Sequence, residues 1–342
     1  MIRQANVADI DALDALSVRT IQAMHKRGVN QWTTAYPRAP HFKEDIQSDR
    51  LFVHEQEGRI LGVYAFCTDD EPAYRAVRWH GSSSPIIHRL LVDPSSWGRG
   101  VADELLVHAA CRAASSGAGT LRTDTHPANG PMRRLLRRHQ FERRGYLAGI
   151  HRDAYERSLN ADGLRRILIL GASGSGKTTL ARRLGKRLNQ PVLHLDTVYW
   201  LRNWTAMEPE AFQRKLQSYM RRHPRFVMDG NYLHNPSFED RLRFADTVIL
   251  LKYERSVALK GIIERERRYK HTYRSDMATG CIEGIDQDFL KYVAFFEPQR
   301  KLIEARLRPL QNKKRVLEFD TPRDLELWLR TIGCEPTCSS TT

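Results

Sequence analysis

The sequence predicts an α/β protein of two domains, and three observations carry that prediction. A length of 342 residues suits two domains, each large enough to bury its own core. Apolar runs of strand length alternate with stretches whose leucines recur at helical spacing. Twice, a short apolar run leads through a glycine loop into such a helix: Pro85 to Val92 ahead of Gly98-Arg99-Gly100, and Ile167 to Leu170 ahead of Gly171 to Thr179.

Composition narrows the class. A hydrophobic fraction of 41% with 28% charged residues is that of a soluble globular chain. No run approaches the about 18 apolar residues of a membrane span. Acids interrupt the N-terminal MIRQANVADIDALDAL where a signal peptide needs a continuous apolar core, so a cytoplasmic protein is expected. The five cysteines lack paired zinc spacing, and reduced thiols are the expectation. The net charge of +15 is uneven. Residues 1–160 carry 22 Lys and Arg against 18 Asp and Glu, and residues 161–342 carry 33 against 22. A basic surface suits nucleic acid, a site gripping several phosphates, or a solvated face.

In chain order, Ile2 to Ala5 reads as a short strand and Asn6 as the N-cap of a helix carrying Ile10, Leu13 and Leu16. Gly28 to Pro37 is an aromatic-rich loop. Leu51 to His54 and Ile60 to Phe66 flank Glu57-Gly58-Arg59 as a hairpin. Pro85 to Val92 is a buried strand, and a helix with Leu105, Leu106, Ala109 and Ala110 follows the glycine turn. Thr120 to Thr125 is a further strand, followed by Asn129 and a helix from Met132 to His139. A G-x-G turn at a helix start can hold a pyrophosphate on backbone N–H groups.

This order resembles the GNAT acetyltransferases across residues 1–158. The resemblance implies a mixed α/β domain that uses acetyl-CoA. Leu91 and Val92 would contact its pantetheine arm, and Gly98, Arg99, Gly100, Val101 and Ala102 its pyrophosphate, with Asn129 at a second cofactor contact. Ser95 stands where the family usually has Gln or Arg, and Leu136 where many members have a tyrosine acid. The proton donor to the leaving thiolate is therefore unassigned. His88 and Asp124 are candidates, by chemical type, to accept the amine proton. Trp32, Tyr36, Tyr74 and Trp79 are candidate walls of an acceptor pocket.

Residues 159–164 are short, polar and end near Gly163, and are read as a linker. The second domain is expected over 165–332, with a polar tail at 333–342. Its opening loop, GASGSGKTT, fits G-x-x-x-x-G-K-[ST] through Gly171, Gly176, Lys177 and Thr178, with Ala172, Ser173, Gly174, Ser175 and Thr179 completing it. Strand, loop and helix form the context that the motif requires. Lysine then reaches outer phosphates and the threonine hydroxyl can ligate Mg²⁺. Pro191 to Asp196 and Phe226 to Asp229 read as parallel strands that each end in a carboxylate, and Ala245 to Leu251 as a further strand. Asp229 is a second candidate metal ligand. Arg265 and Arg268 share a face of the helix from Arg255 to Tyr269, and Arg274 follows in HTYRSDMATG.

Together, GASGSGKTT, HLD, VMDGNY, ADTVILL, the arginine-rich helix and RSDM resemble small P-loop kinases of the adenylate kinase type, above all bacterial topology-modulation or FlaR-like proteins. That resemblance implies a P-loop NTPase domain with a parallel sheet and helices on both faces. It also implies ATP and Mg²⁺, a catalytic set of Lys177, Asp196, Asp229, Arg265, Arg268 and Arg274, and Thr178 with Asp229 on the metal. The expectation for the whole chain is an acetyl-CoA-dependent N-acetyltransferase joined to an ATP-dependent small-molecule kinase. It would act on small-molecule amines and on hydroxyl or phosphate acceptors, with no membrane partner. The alternative is a nucleotide-gated regulatory or nucleic-acid-binding protein with an attached acetyltransferase.

Overall fold

The computed structural model describes every residue except 70, 82–83, 160–163, 270–295, 312 and 333–342, and the side chains of 268 and 269. The chain divides into two compact units, residues 1–160 with 326–342, and residues 161–325.

The first unit is built on a seven-stranded mixed sheet. Its strands are β1 (Ile2–Gln4), β2 (Leu51–Gln56), β3 (Arg59–Cys67), β4 (Ile86–Val92), β5 (Thr120–Thr125), β6 (Glu142–Leu147) and β7 (Arg152–Ser158), in the order β1-β2-β3-β4-β5-β7-β6. Alternation along each strand sends side chains to opposite faces. Leu13 and Leu16 of α1 (Ile10–His25) and Phe42 of α2 (Ala39–Gln47) pack on Val53, Val63 and Ala65. Phe52, Tyr64 and Phe66 face the other way, against Leu105, Leu106 and Ala109 of α3 (Val101–Ser115) and Leu136 of α4 (Gly130–Arg138). Each fully buried leucine contributes on the order of 2 kcal/mol. Helix α3 lies so close to β3 that a Cβ at Gly62 would stand 2.9 Å from both Leu105 and Val101.

Local signals explain several boundaries. Asn6 accepts from the Ala8 N–H, and Asp9 answers by accepting from the Asn6 N–H, so the chain enters α1 through a closed capping box. Glu57 and Gly58 both have positive φ, +52° and +71°, which matches a tight turn to the right-handed twist of β2 and β3. A bulge sets two residues of β4 against one of β3, and Arg89 there sits at φ +51°. Its guanidinium is fixed by both oxygens of the fully buried Asp45 and by the Tyr36 hydroxyl.

The feature that shapes the first unit's site is a gap. β4 and β5 pair in parallel at Ile86 with Arg122 and Ile87 with Thr123, and the paired register goes no further. Beyond Ile87, β4 keeps β3 as its ladder partner, up to Val92 with Gly62. The two central strands therefore splay.

The second unit has a fully parallel sheet of β8 (Arg166–Gly171), β9 (Val192–His194), β12 (Phe226–Asp229), β13 (Thr247–Leu251) and β14 (Arg315–Phe319), in the order β14-β13-β8-β12-β9. A two-stranded ribbon, β10 (Trp200–Leu201) with β11 (Thr205–Ala206), lies apart from it. Near-continuous apolar runs such as Ile167 to Leu170 suit strands buried on both faces. On one face Leu168, Leu170, Met228 and Val248 meet Phe212 and Leu216 of α7 (Pro209–Arg222), Phe238 of α8 (Ser237–Phe244) and Ile262 of α9 (Arg255–Tyr269). Helix α5 (Lys177–Leu188) packs along β8, β9 and β12.

Two expectations are corrected. Asp196 does not end a strand: β9 stops at His194, Leu195 takes helical dihedrals, and Asp196 opens the one-turn helix α6 (Asp196–Tyr199). The Thr197 hydroxyl, donating to the His194 carbonyl, closes that turn. Cys67 is a buried free thiol, but Cys111 is disulfide-bonded, against the expectation of reduced thiols.

Candidate functional site

In the first unit, the loop after β4 is held from below by Asp93. Its carboxylate accepts from the Ser95 N–H and hydroxyl, at 3.0 and 2.6 Å, and from the Arg19 guanidinium at 2.8 Å. Burial pushes the Asp93 carboxyl up, but these hydrogen bonds outweigh it and hold it at about 2. Above this base, Gly98 and Gly100 take φ +79° and +89°. Gly100 is the N-cap of α3 and offers no side-chain cap bond, so the first-turn amides are open to an anion. A Cβ at Gly98 would meet nothing within 4 Å, so the outer side of the turn is clear.

The predicted cofactor residues fall around this turn. Leu91 and Val92 end β4 at the splay, Val101 is buried, Ala102 is half-buried and Arg99 is exposed. Asn129 is occupied as the N-cap of α4: it accepts from the Met132 N–H at 3.2 Å and donates to Gln31 at 3.0 Å. Gln31 also accepts from Thr125 and from the His126 N–H.

On the β5 side of the splay, Asp124 accepts from the Tyr74 hydroxyl at 2.8 Å and lies 3.5 Å from the Arg152 guanidinium. Burial raises the Asp124 carboxyl above the usual carboxylate range, and the bond from Tyr74 and the charge of Arg152 only partly oppose it. Trp79 stacks on Tyr74 with ring centroids 5.2 Å apart. His88, one residue past the last β4–β5 pair, is held neutral by burial, its pKa lowered to about 4. Trp32 is half-buried and packs against the core cluster beneath α1, and the Tyr36 hydroxyl accepts from Arg89. Of the four predicted pocket aromatics, only Tyr74 and Trp79 thus stand together by Asp124.

In the second unit, the glycine loop joins the central strand β8 to α5. β8 connects toward β9 on one side while β13 connects toward β14 on the other, so the chain changes direction at the carboxyl end of β8. Gly171, Gly174 and Gly176 have φ of +150°, +80° and +88°. Gly176 caps α5 without a side-chain bond, and the space a Cβ would take there is open. The Ser175 hydroxyl is buried without a hydrogen-bond partner. Lys177 folds back so that Nζ donates to the Ala172 carbonyl at 2.8 Å.

Three elements converge beside this loop. Asp229, buried at the end of β12, accepts from the Thr178 hydroxyl at 2.8 Å, and its other oxygen lies 2.6 Å from His194 Nδ1 at the end of β9. The two predicted metal ligands are therefore adjacent. Asp196 accepts from the Tyr232 hydroxyl at 2.5 Å. Among the described residues no group of three or more His, Cys, Asp or Glu could hold a metal ion. Arg265 is half-buried on α9, while the Arg268 side chain and Arg274 lie outside the described residues.

Sequence reasoning assigned no role to several of these residues, although Asn231 stands within VMDGNY. Asn231 donates to the Gly171 carbonyl and accepts from the Gly171 N–H, and Arg241, fully buried, donates to the carbonyls of Gly230, Asn231 and Tyr232. Burial lowers the Arg241 guanidinium to about 9. His194 was visible only as the first letter of HLD. None carries a local signal, because each acts across the sheet or between separate loops.

Residues 18–141 match the family described as Acetyltransferase (GNAT) family, and the first unit thus contains a GNAT acetyltransferase domain with a mixed sheet. A curated relative is an uncharacterized protein, YqaC, of Bacillus subtilis (strain 168). It is 27% identical over 135 residues, covering 39% of this chain and 73% of that protein. Similar solved structures include a GNAT-family acetyltransferase of Streptococcus agalactiae 2603, 24% identical over 46% of this chain and 94% of that one, with a TM-score of 0.41. Another is an acetyltransferase, so named provisionally, of Staphylococcus aureus Mu50, 27% identical over 47% and 99% of the two chains, with a TM-score of 0.38. No described helix is long and apolar enough to cross a membrane.

Proposed function

We propose that the chain is a bifunctional enzyme in which the first unit transfers acetyl from acetyl-CoA to a small-molecule amine and the second transfers phosphoryl from ATP. The observation that carries the first half is the splay of β4 from β5 directly beside the uncapped start of α3. The residues present fit the cofactor. The edge of β4 beyond Ile87 faces away from its β3 ladder and can bond the amides of a pantetheine arm alongside Leu91 and Val92. Gly98 to Ala102 would hold the pyrophosphate on backbone amides, with Arg99 as an exposed cation nearby. Acetyl-CoA supplies the activated acyl group. Asp124, raised by burial and oriented by Tyr74, would take the proton of the attacking amine. Calorimetric titration with acetyl-CoA, followed by thiol release in the presence of an amine panel, tests this half. No binding of acetyl-CoA would defeat it.

The second half rests on the glycine loop at the change of direction of a parallel sheet, with Thr178 and Asp229 in contact beside it. These residues also fit their ligands. Open amides at Gly176 and the unpartnered Ser175 hydroxyl suit a phosphate chain, and hydroxyl and carboxylate oxygens are the donors that Mg²⁺ prefers. Mg²⁺ would neutralise phosphate charge. Thr178 and Asp229 would hold it, and Lys177 would leave the Ala172 carbonyl for the outer phosphates. Arg265, Arg268 and Arg274 would add positive charge from α9 and the segment after it. ATP titration with and without Mg²⁺, and ADP release, test this half.

A further inference from the structure

We infer that His194 is a positioning residue of the second unit: it holds the Asp229 carboxylate in the orientation that binds Mg²⁺ together with Thr178. The inference rests on the kinase reading above and adds a residue to that site. His194 Nδ1 lies 2.6 Å from one oxygen of Asp229, and the other oxygen accepts from the Thr178 hydroxyl at 2.8 Å. Three side chains are thus linked in series from β9 through β12 to α5.

The strand register makes this contact. His194 and Asp229 are paired neighbours in the parallel ladder of β9 and β12, so both side chains leave the same face of the sheet. Each is the last residue of its strand, at the carboxyl rim where the glycine loop begins. Backbone bonds keep the pair level. The Leu195 N–H donates to the Asp229 carbonyl at 3.0 Å, and the Thr197 hydroxyl donates to the His194 carbonyl at 2.7 Å. Just past the pair the two chains close up further, since a Cβ at Gly230 would stand 2.8 Å from the Leu195 Cβ. The two side chains are only 14% and 5% exposed, so water is a poor substitute for the bond between them.

The direction of that bond follows from its partners. Asp229 would bind Mg²⁺ as a carboxylate, which can only accept, so the hydrogen is on His194 Nδ1. An imidazole nitrogen suits Mg²⁺ poorly, because this ion prefers oxygen. His194 therefore stands behind the carboxylate and not on the metal. Its N–H sets the rotation of the carboxylate and leaves the second oxygen on the Thr178 side. Without that donor the carboxylate can turn, and the two oxygen ligands no longer converge. Partners that orient a metal ligand in this way are typically worth about 10–100-fold in metal affinity.

The test is calorimetric titration of the full chain with ATP, with and without Mg²⁺, on the parent, His194→Leu and His194→Asn. Leucine removes the donor at similar bulk, whereas the asparagine amide can place an N–H close to the position of Nδ1. In His194→Leu the gain in ATP affinity on adding Mg²⁺ should shrink by about 10–100-fold, with Mg²⁺-free ATP affinity kept. Asparagine should retain most of the gain. Histidine nitrogen NMR spectra of the parent read the tautomer with no need of a folded leucine variant. The signal absent from His194→Asn should carry its hydrogen on Nδ1. An unchanged Mg²⁺ gain in His194→Leu, an equal loss with and without Mg²⁺, a loss in His194→Asn as large as in His194→Leu, or a hydrogen on Nε2 alone would each overturn the inference. A parent chain that binds ATP no better with Mg²⁺ would defeat the kinase reading, and this inference with it.

Discussion

Gly174 of the glycine loop and Gly261 of α9 lie face to face. A Cβ at Gly261 would fall on the Gly174 carbonyl, and a Cβ at Gly174 would fall on the Ala258 carbonyl, both far inside van der Waals contact. The proposed phosphate loop is thus seated directly on the helix that carries Arg265. Gly261→Ala should push loop and helix apart, because neither obstacle is the end of a flexible side chain. We expect ATP affinity to fall at least tenfold with acetyl-CoA affinity unchanged. Equal ATP affinity by calorimetry would show that the loop tolerates the displacement.

Asn231 holds the peptide of Gly171 from both sides, accepting its N–H at 3.1 Å and donating to its carbonyl at 2.8 Å. Asn231→Ala leaves two backbone groups without their partners, at a cost of about 1–3 kcal/mol where they stay dry. Asn231→Asp keeps an acceptor for the N–H but sets an oxygen against the carbonyl, and should lose as much. Urea unfolding followed by tryptophan fluorescence measures both. A loss below about 0.5 kcal/mol in each would mean that water replaces the side chain.

The contrast between Asn231 and its surroundings shows what the sequence could reveal. The glycine loop, the Glu57-Gly58 turn and the start of α9 at Arg255 are where the sequence pattern put them. Asn231 reaches back 60 residues, and His194 meets Asp229 across 35. No periodicity marks such pairs. Asp196 misled because a carboxylate after an apolar run reads as a strand end, whereas helical dihedrals at Leu195 end the strand early. Helix α2 was hidden behind an aromatic-rich loop, and what stabilises it is distant: Asp14 of α1 accepts from the Arg38 guanidinium and the Ala39 N–H at its start.

Gly100→Glu tests the pyrophosphate turn. Position 100 has φ +89°, which an L side chain adopts only with strain, and a carboxylate there would oppose an anion at the start of α3. Acetyl-CoA binding should fall by a factor of 100 or more, on the order of 3 kcal/mol, while ATP binding is spared. Unchanged acetyl-CoA affinity by calorimetry would remove the turn from the cofactor site.

Lys177→Ala is the reciprocal experiment. The lysine sits on the glycine loop of one compact unit, and the splayed strands belong to the other. ATP turnover should be lost and acetyl-CoA affinity retained. Loss of acetyl-CoA affinity in this variant would mean that the two activities are coupled.

His88 sets a pH dependence on the first unit. Its pKa is lowered from 6.5 to about 4 by burial, with the charge of Arg89 adding to the effect. A depressed folded-state value means that the unfolded chain binds the proton first. The contribution of His88 to stability is therefore complete above pH 6.5 and is lost as pH falls toward about 4. The gap corresponds to about 3 kcal/mol at most. His88→Gln cannot titrate, so its stability should fall less steeply than that of the parent between pH 6.5 and pH 4. Denaturant titrations at half-unit pH steps measure the two slopes. Parallel curves would place the acid sensitivity elsewhere, with Asp124 an unsuitable substitute: its carboxyl is raised, so its buried charge destabilises the fold as pH rises through the folded value. That opposite sign makes the two residues separable in one pH series.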